Sequence, residues 1–299
     1  MAGPENCVLV VGDVMTDIIC KPDGPLVVGS DRRAAIRTRP GGSGANQAVW
    51  LAALGVTVRF AGRVGADDHA ALVAHFRALG VEAVLGADAE HVSGAIVTIV
   101  SSGGERSFLT DRGANAFLGA DDVSPALLDN AGLLVVSGYA LFEPGPRAAV
   151  MALMAAARAR GIGVAVDPSS IGFLEEVGPA NFLDWTSAAT MMFANEAEAL
   201  TLTGATGTEA QLAALLARYM RVAIKLGRFG AVYGERNGLR LALPAPEVDV
   251  VDSTGAGDAF AAAFIAAELA GADPAQALAQ AIVAGAEAVT HIGGRPQSR

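Results

Sequence analysis

From Leu133 onward the chain alternates short apolar runs with stretches of helical spacing, and this limits the fold more than any other feature. Residues 133–137, 164–167, 191–194 and 222–226 are mainly apolar runs too short for helices, and they read as buried strands. Residues 147–160 and 209–219 between them carry helical periodicity. Strands joined by helices imply an α/β fold: a doubly wound, mostly parallel sheet flanked by helices, with ligands bound at the C-terminal ends of the strands. Polar residues stand at those ends: Ser137-Gly138-Tyr139, Asp167-Pro168, Asn195-Glu196-Ala197-Glu198 and Lys225-Leu226-Gly227-Arg228. Any one of them can be a surface turn; four in succession at strand exits point to one shared crevice.

The N-terminal half supplies more of the same sheet and one departure from it. Residues 7–11 form a first strand that ends at Gly12-Asp13, residues 57–64 another strand, and residues 67–79 a helix. Asp17 lies in a second extended segment beyond the first strand, facing either the crevice or solvent. Residues 95–100 and 106–109, joined by Ser101-Ser102-Gly103-Gly104-Glu105, read as a hairpin that breaks the alternation. No internal repeat, low-complexity linker or second core is visible, so residues 1–299 are expected to form one domain.

Two glycine-rich stretches carry the chemistry. In Asp252-Ser253-Thr254-Gly255-Ala256-Gly257-Asp258, an apolar segment containing Val248, Val250 and Val251 precedes the glycines and reads as a strand. An alanine-rich helix follows with no breaker before Gly271. The first N–H groups of that helix lack intrahelical partners and form an anion site, which Gly255 and Gly257 leave open to a phosphate. Asp258 beside it either caps the first turn or takes a proton from an attacking hydroxyl while the N–H groups of Gly255, Ala256 and Gly257 stabilise the transferred phosphoryl. The second stretch, Pro40-Gly41-Gly42-Ser43-Gly44-Ala45-Asn46-Gln47, opens a helix over residues 45–54 and is either a tight connection or a ligand loop.

The late motif resembles the C-terminal signature of the ribokinase-like sugar kinases, the phosphofructokinase B family, usually Asp-Thr-x-Gly-Ala-Gly-Asp, with Ser253 in place of the usual Thr. Gly41, Gly42 and Asn46 resemble the family's Gly-Gly-x-x-x-Asn motif, and Asn195-x-x-Glu198 its Asn-x-x-Glu motif. The likeness runs over nearly the whole chain. It implies that Asp258 is the base, that Gly255, Ala256 and Gly257 form the anion hole, and that Asp17, Gly41, Gly42, Asn46, Arg112 and Tyr139 hold the substrate. It further implies that Asn195, Lys225, Gly227 and Gly230 lie on the nucleotide side, that ATP is the phosphoryl donor, and that Glu198 with Asn195 organises Mg²⁺ through its waters. Asp252 and carbonyls near Gly293-Gly294 are then a place for K⁺. Segments near 16–40 and 94–112 become a small β lid, and a homodimer is expected. Ribokinases proper carry Asn where this chain has Met15, and Lys where it has Ser43.

The expected activity is phosphorylation of a hydroxymethyl group on a small neutral sugar. A kinase of an acidic sugar, such as a 2-keto-3-deoxy acid held by Arg112 or Arg106, is second; otherwise both are solvated lid arginines. A nucleoside kinase would stack its base on Phe108, and a sugar sensor without catalysis would have no use for Asp258.

Composition removes other classes. A net charge of −10 argues against nucleic-acid binding. Lys21 and Lys225 are the only lysines, and neither ends a P-loop motif. Position 260 is Phe, so the dinucleotide fingerprint fails at its third glycine. Cys7 and Cys20 have no metal-ligand spacing and are expected as free thiols, and the four histidines are scattered. With no signal-peptide pattern at Met1–Asn6 and no membrane-spanning run, the expectation is a cytoplasmic protein that binds neither membrane nor nucleic acid.

Overall fold

A computed structural model describes residues 7–101 and 106–297. Residues 1–6, 102–105 and 298–299 and the side chain of Arg106 lie outside the described residues, and with them the Ser102–Glu105 part of the expected hairpin connection. The main sheet contains β1 (Cys7–Val11), β4 (Thr57–Gly65), β5 (Val81–Asp88), β8 (Ala131–Ser137), β9 (Gly163–Asp167), β10 (Met191–Asn195), β11 (Arg221–Lys225), β12 (Ala231–Glu235) and β13 (Arg240–Leu243). Their order is β13-β12-β11-β10-β9-β8-β1-β4-β5. Seven strands run parallel, and β12 and β13 close one edge antiparallel.

The continuous apolar runs follow from burial on both faces. Val8, Val10, Phe193 and Ala223 face one hydrophobic cluster, together with the helices Ser43–Ala53, Ala256–Leu269 and Pro274–Ala288. Leu9, Val11, Met192 and Ile224 face the other, with the helices Pro144–Ala159, Glu196–Thr203 and Thr208–Leu216. Neighbouring residues of one strand thus serve opposite cores, so neither face can be polar.

The departure from alternation is a separate sheet. β2 (Met15–Pro22), β3 (Ala34–Gly41), β6 (Gly94–Val100) and β7 (Arg106–Asp111) pair in the order β3-β2-β6-β7. Its strands are the expected extended segments around Asp17 and the expected hairpin.

One expectation fails. Residues 244–250 form no strand, and Val250 and Val251 are 69% and 52% exposed. Pro244 and Pro246 lack N–H donors, and β13 already ends the sheet, so the segment has no ladder to join. The chain is tied instead by the Val251 and Asp252 N–H groups, which both donate to the Val289 carbonyl. The glycine motif therefore follows an irregular arm, although the helix after it forms as expected.

Candidate active site

The helix Ala256–Leu269 starts from Gly255, whose φ of 76° is left-handed. A side chain there would also strike the Gly294 backbone, so only glycine fits. Gly257 has no such φ; its requirement is space, since a Cβ would lie 3.0 Å from Lys225 Nζ.

Asp258 makes no capping bond to its own helix. Its buried carboxylate turns to the helix Ser43–Ala53. Oδ1 accepts from Ser43 Oγ at 2.7 Å and Gln47 Nε2 at 3.1 Å, and Oδ2 accepts from Asn46 Nδ2 at 3.2 Å. Ser43, Asn46 and Gln47 are spaced i, i+3 and i+4, so one face of one turn presents all three donors. Burial pushes the Asp258 carboxyl up to about 7, and the Asp167 charge adds to the rise; the three hydrogen bonds pull the other way. A carboxyl so poised can accept a proton near neutral pH.

The strand ends meet beside it. Lys225 closes β11 and donates to Asp167 Oδ2, at the end of β9, over 2.7 Å. Burial alone would lower the Lys225 pKa, but the charges of Asp167, Glu198 and Asp258 raise it, so the ammonium is held charged. Asn195 ends β10 and caps the next helix: its Oδ1 accepts from Glu198 N, and Glu198 Oε2 accepts from Asn195 N, each at 2.8 Å. Burial and the Asp167 charge push the Glu198 carboxyl up to about 7, against the pull of Lys225. Glu198 Oε1 has no hydrogen bond among the described residues, so one carboxylate oxygen stays available to a cation.

A second group lies past β1. Buried Asp13 accepts from Gly44 N at 3.2 Å and Ser137 Oγ at 3.5 Å. The Arg112 guanidinium stands 4.0 Å from the Asp13 carboxylate, donates to the Tyr139 carbonyl at 3.0 Å and lies 5.2 Å from the Tyr139 ring centroid. The Arg112 side chain is only 13% exposed, which overturns its reading as a solvated lid arginine. Asp17 sits on β2 against Gly41; burial and the Asp13 charge push its carboxyl up to about 6, while Arg295 opposes them. Arg295 reaches Asn46 Oδ1 at 3.4 Å, the Gly41 carbonyl at 3.5 Å and His75 Nε2 at 3.0 Å.

The four strand-end clusters therefore converge, and the two glycine stretches join them. Two of the expected residues have another evident duty: Gly227 opens a short 3-10 turn and Gly230 packs under Leu243 of β13. Asp13, Gln47 and Arg295 join the site without having been expected there. Gln47 had a signal, standing one helical turn past Ser43; Arg295, beyond the last helix, had none. Asp252 accepts from Thr254 N, Thr254 Oγ1 and Gly293 N, pinning the loop before Gly255.

The fold and this cluster define a phosphotransferase of the ribokinase-like class. The pfkB family carbohydrate kinase pattern matches residues 6–298, and the chain belongs to that family of sugar kinases. It is 30% identical to ribokinase of Bacillus subtilis (strain 168) over 298 residues, covering 96% of this chain and 94% of the relative. It also matches the bifunctional protein HldE of Shewanella baltica, at 33% identity, but spans only 62% of that protein's length. The structure of adenosine kinase from Sinorhizobium meliloti superimposes with a TM-score of 0.88 at 25% identity, covering 98% of this chain and 97% of that one. A putative ribokinase II from E. coli, solved in complex with ATP and Mg²⁺, gives a TM-score of 0.84 at 25% identity, covering 96% and 94%.

Proposed function

We propose that the protein transfers the γ-phosphoryl group of ATP to a hydroxymethyl group of a small neutral sugar, with Asp258 as general base. The observation that carries this reading is the buried Asp258 carboxylate, held by Ser43, Asn46 and Gln47 at the start of a glycine-opened helix. The sugar hydroxyl gives its proton to Asp258 as its oxygen bonds to the γ-phosphorus. The bond from that phosphorus to the β–γ bridging oxygen breaks, and ADP leaves. The N–H groups of residues 255–257 receive the charge that develops on the transferred group. Asp17, Gly41, Gly42, Asn46 and Tyr139 hold the sugar; Asn195, Lys225, Gly227 and Gly230 take the nucleotide side. The E. coli neighbour bound to ATP and Mg²⁺ supports this choice of donor.

Mg²⁺ fits the free Oε1 of Glu198, since it binds through few carboxylates and keeps its waters. When bound it neutralises charge between the phosphates. A monovalent cation fits less well: Asp252 already accepts from Thr254 and Gly293, and the Gly294 carbonyl accepts from Trp50 Nε1 at 2.9 Å.

The small sheet, over segments near 16–40 and 94–112, is the lid that excludes water, within a single domain. Its other face supports a homodimer, with Ile36 and Leu109 exposed by 62% and 63%. Free Cys7 and Cys20 suit a reducing, cytoplasmic setting.

A neutral sugar is preferred because the Arg112 charge is already opposed by Asp13. The nucleoside alternative keeps one support: the register aligns Phe108 with Thr98 and Ile19, on the Asp17 face of the small sheet. ATP consumption with neutral sugars, acidic sugars and nucleosides tests the reading. Sugar-dependent ADP release supports it, and release driven only by nucleosides overturns the sugar assignment.

A further inference from the structure

We infer that Arg295 is a positioning residue of the reaction, which holds the Asn46 side chain in the one orientation that donates to Asp258; the inference rests on the reading of Asp258 as the base. The Asn46 amide stands between opposite charges. Its Nδ2 donates to Asp258 Oδ2 at 3.2 Å, and its Oδ1 accepts from Arg295 Nε at 3.4 Å. Turned over, the amide would set its oxygen against the carboxylate and its NH₂ group against the guanidinium, and both bonds would be lost. Asp258 enforces this orientation only while it is ionised. Once it has taken a proton, its O–H can donate to the amide oxygen instead. A guanidinium only donates, so Arg295 keeps the NH₂ group turned toward the base before and after the proton moves.

The arginine is held by the helix Ala66–Ala78. Its Nη1 donates to His75 Nε2 at 3.0 Å, its guanidinium lies 5.3 Å from the centroid of the buried Phe76 ring, and its Nη2 reaches the Gly41 carbonyl at 3.5 Å. Burial lowers the His75 pKa and the Arg295 charge lowers it further, so the ring is a neutral acceptor near neutral pH. Burial also brings Arg295 down to about 10, against the pull of Asp17, which leaves the guanidinium charged. The chain around it is anchored independently, by Gly293 N on Asp252 Oδ2 at 3.1 Å and by Trp50 Nε1 on the Gly294 carbonyl. A side chain at Gly294 would strike the Asn46 amide nitrogen. The run Gly293-Gly294-Arg295 thus makes room for this amide and then orients it.

Asp258 faces Ser43, Asn46 and Gln47 on one helix, the Asp167 and Lys225 charges at two strand ends, and Tyr139. An amide free to turn withdraws one of the three donors that oppose burial, so the carboxyl should then ionise at higher pH.

Titration of Asp258 in the full chain tests this without any sugar. Carbon-13 NMR of aspartate-labelled protein follows the carboxyl resonance that is missing from Asp258→Asn. In Arg295→Met its midpoint should rise by about half to one pH unit, part of the worth of one hydrogen bond to a charged group. Asn46→Ala should raise it at least as far, and Arg295→Met added to Asn46→Ala should raise it no further. Thermal melting confirms that the variants fold, and Asn46→Leu replaces Asn46→Ala if the latter does not. A purely structural role for Arg295 would lower the melting temperature and leave the midpoint in place. An unmoved midpoint in Arg295→Met, or a rise that persists in the folded double variant, overturns the inference while the kinase reading stands. Turnover by Asp258→Asn equal to that of the parent overturns the base reading instead, whatever the titration shows.

Discussion

Asp258 Oδ1 accepts a hydrogen bond from Ser43 Oγ at 2.7 Å, although the two residues stand 215 positions apart. Each follows a glycine turn, and each belongs to a helix whose start faces the crevice. The bond thus joins the two glycine stretches into one site. Trp50 Nε1 and the Gly294 carbonyl, at 2.9 Å, brace the same junction from the far end of the chain.

Gly255→Ala should destabilise the fold by about 2 kcal/mol or more. The residue would need a left-handed φ, and its Cβ would strike the Gly294 backbone. Thermal unfolding measures this, and an unchanged melting temperature would remove the strain from the account.

Gly257→Val acts through space instead. Its backbone conformation suits any residue, but the side chain would press on the Lys225 ammonium and fill the phosphate position. The variant should melt near the parent and lose nearly all ATP-dependent activity. Full activity would show that no phosphate passes there.

The pH dependence follows from the raised Asp258 pKa. A base must be deprotonated to act, so kcat/KM should fall below about pH 7, where the carboxyl titrates. Stability moves in the opposite sense. Between the unfolded carboxyl value near 4 and the folded value near 7, the native state binds the extra proton, so the Asp258 contribution to stability declines as pH rises through that window. Melting temperature followed from pH 4 to 8 in the parent and in Asp258→Asn checks the sign; a smaller decline in the variant is expected, and an identical decline in both counts against the assignment.

How far the residues alone specify this molecule depends on the range of the interactions. The parallel sheet is visible because its central strands are continuous apolar runs, as in Leu9–Val11 and Val222–Ile224. The site acids are visible where they close strands or open helices, as Asp167, Glu198 and Asp258 do. Residues 244–250 mislead because β-branched side chains mark a strand only if a partner edge exists, and β13 has closed that edge. β5, β12 and β13 enlarge the expected sheet: β5 mixes buried and exposed positions, β13 is nowhere fully buried, and the apolar run of β12 is cut short by Gly234 and Glu235. Arg295 is invisible because its neighbours, Asn46, Gly41 and His75, are all more than 200 positions away.

Arg112 is the position at which the proposed preference for a neutral sugar can be tested. Neutral sugars should turn over better than sugar acids at matched concentration, because Asp13 already faces the guanidinium. Arg112→Ala should keep that preference. A preference for the acid that disappears in Arg112→Ala would reverse the assignment.

Sugar-dependent ATP turnover by Asp258→Asn tests the central claim most directly. The amide keeps the size of the side chain and can still bond Ser43 or Asn46, but it cannot accept the hydroxyl proton. Turnover should fall by roughly a hundredfold to ten-thousandfold while ATP binding, measured by calorimetry, stays within about threefold. Turnover near that of the parent, with ATP still bound, would contradict the role of Asp258 as the base.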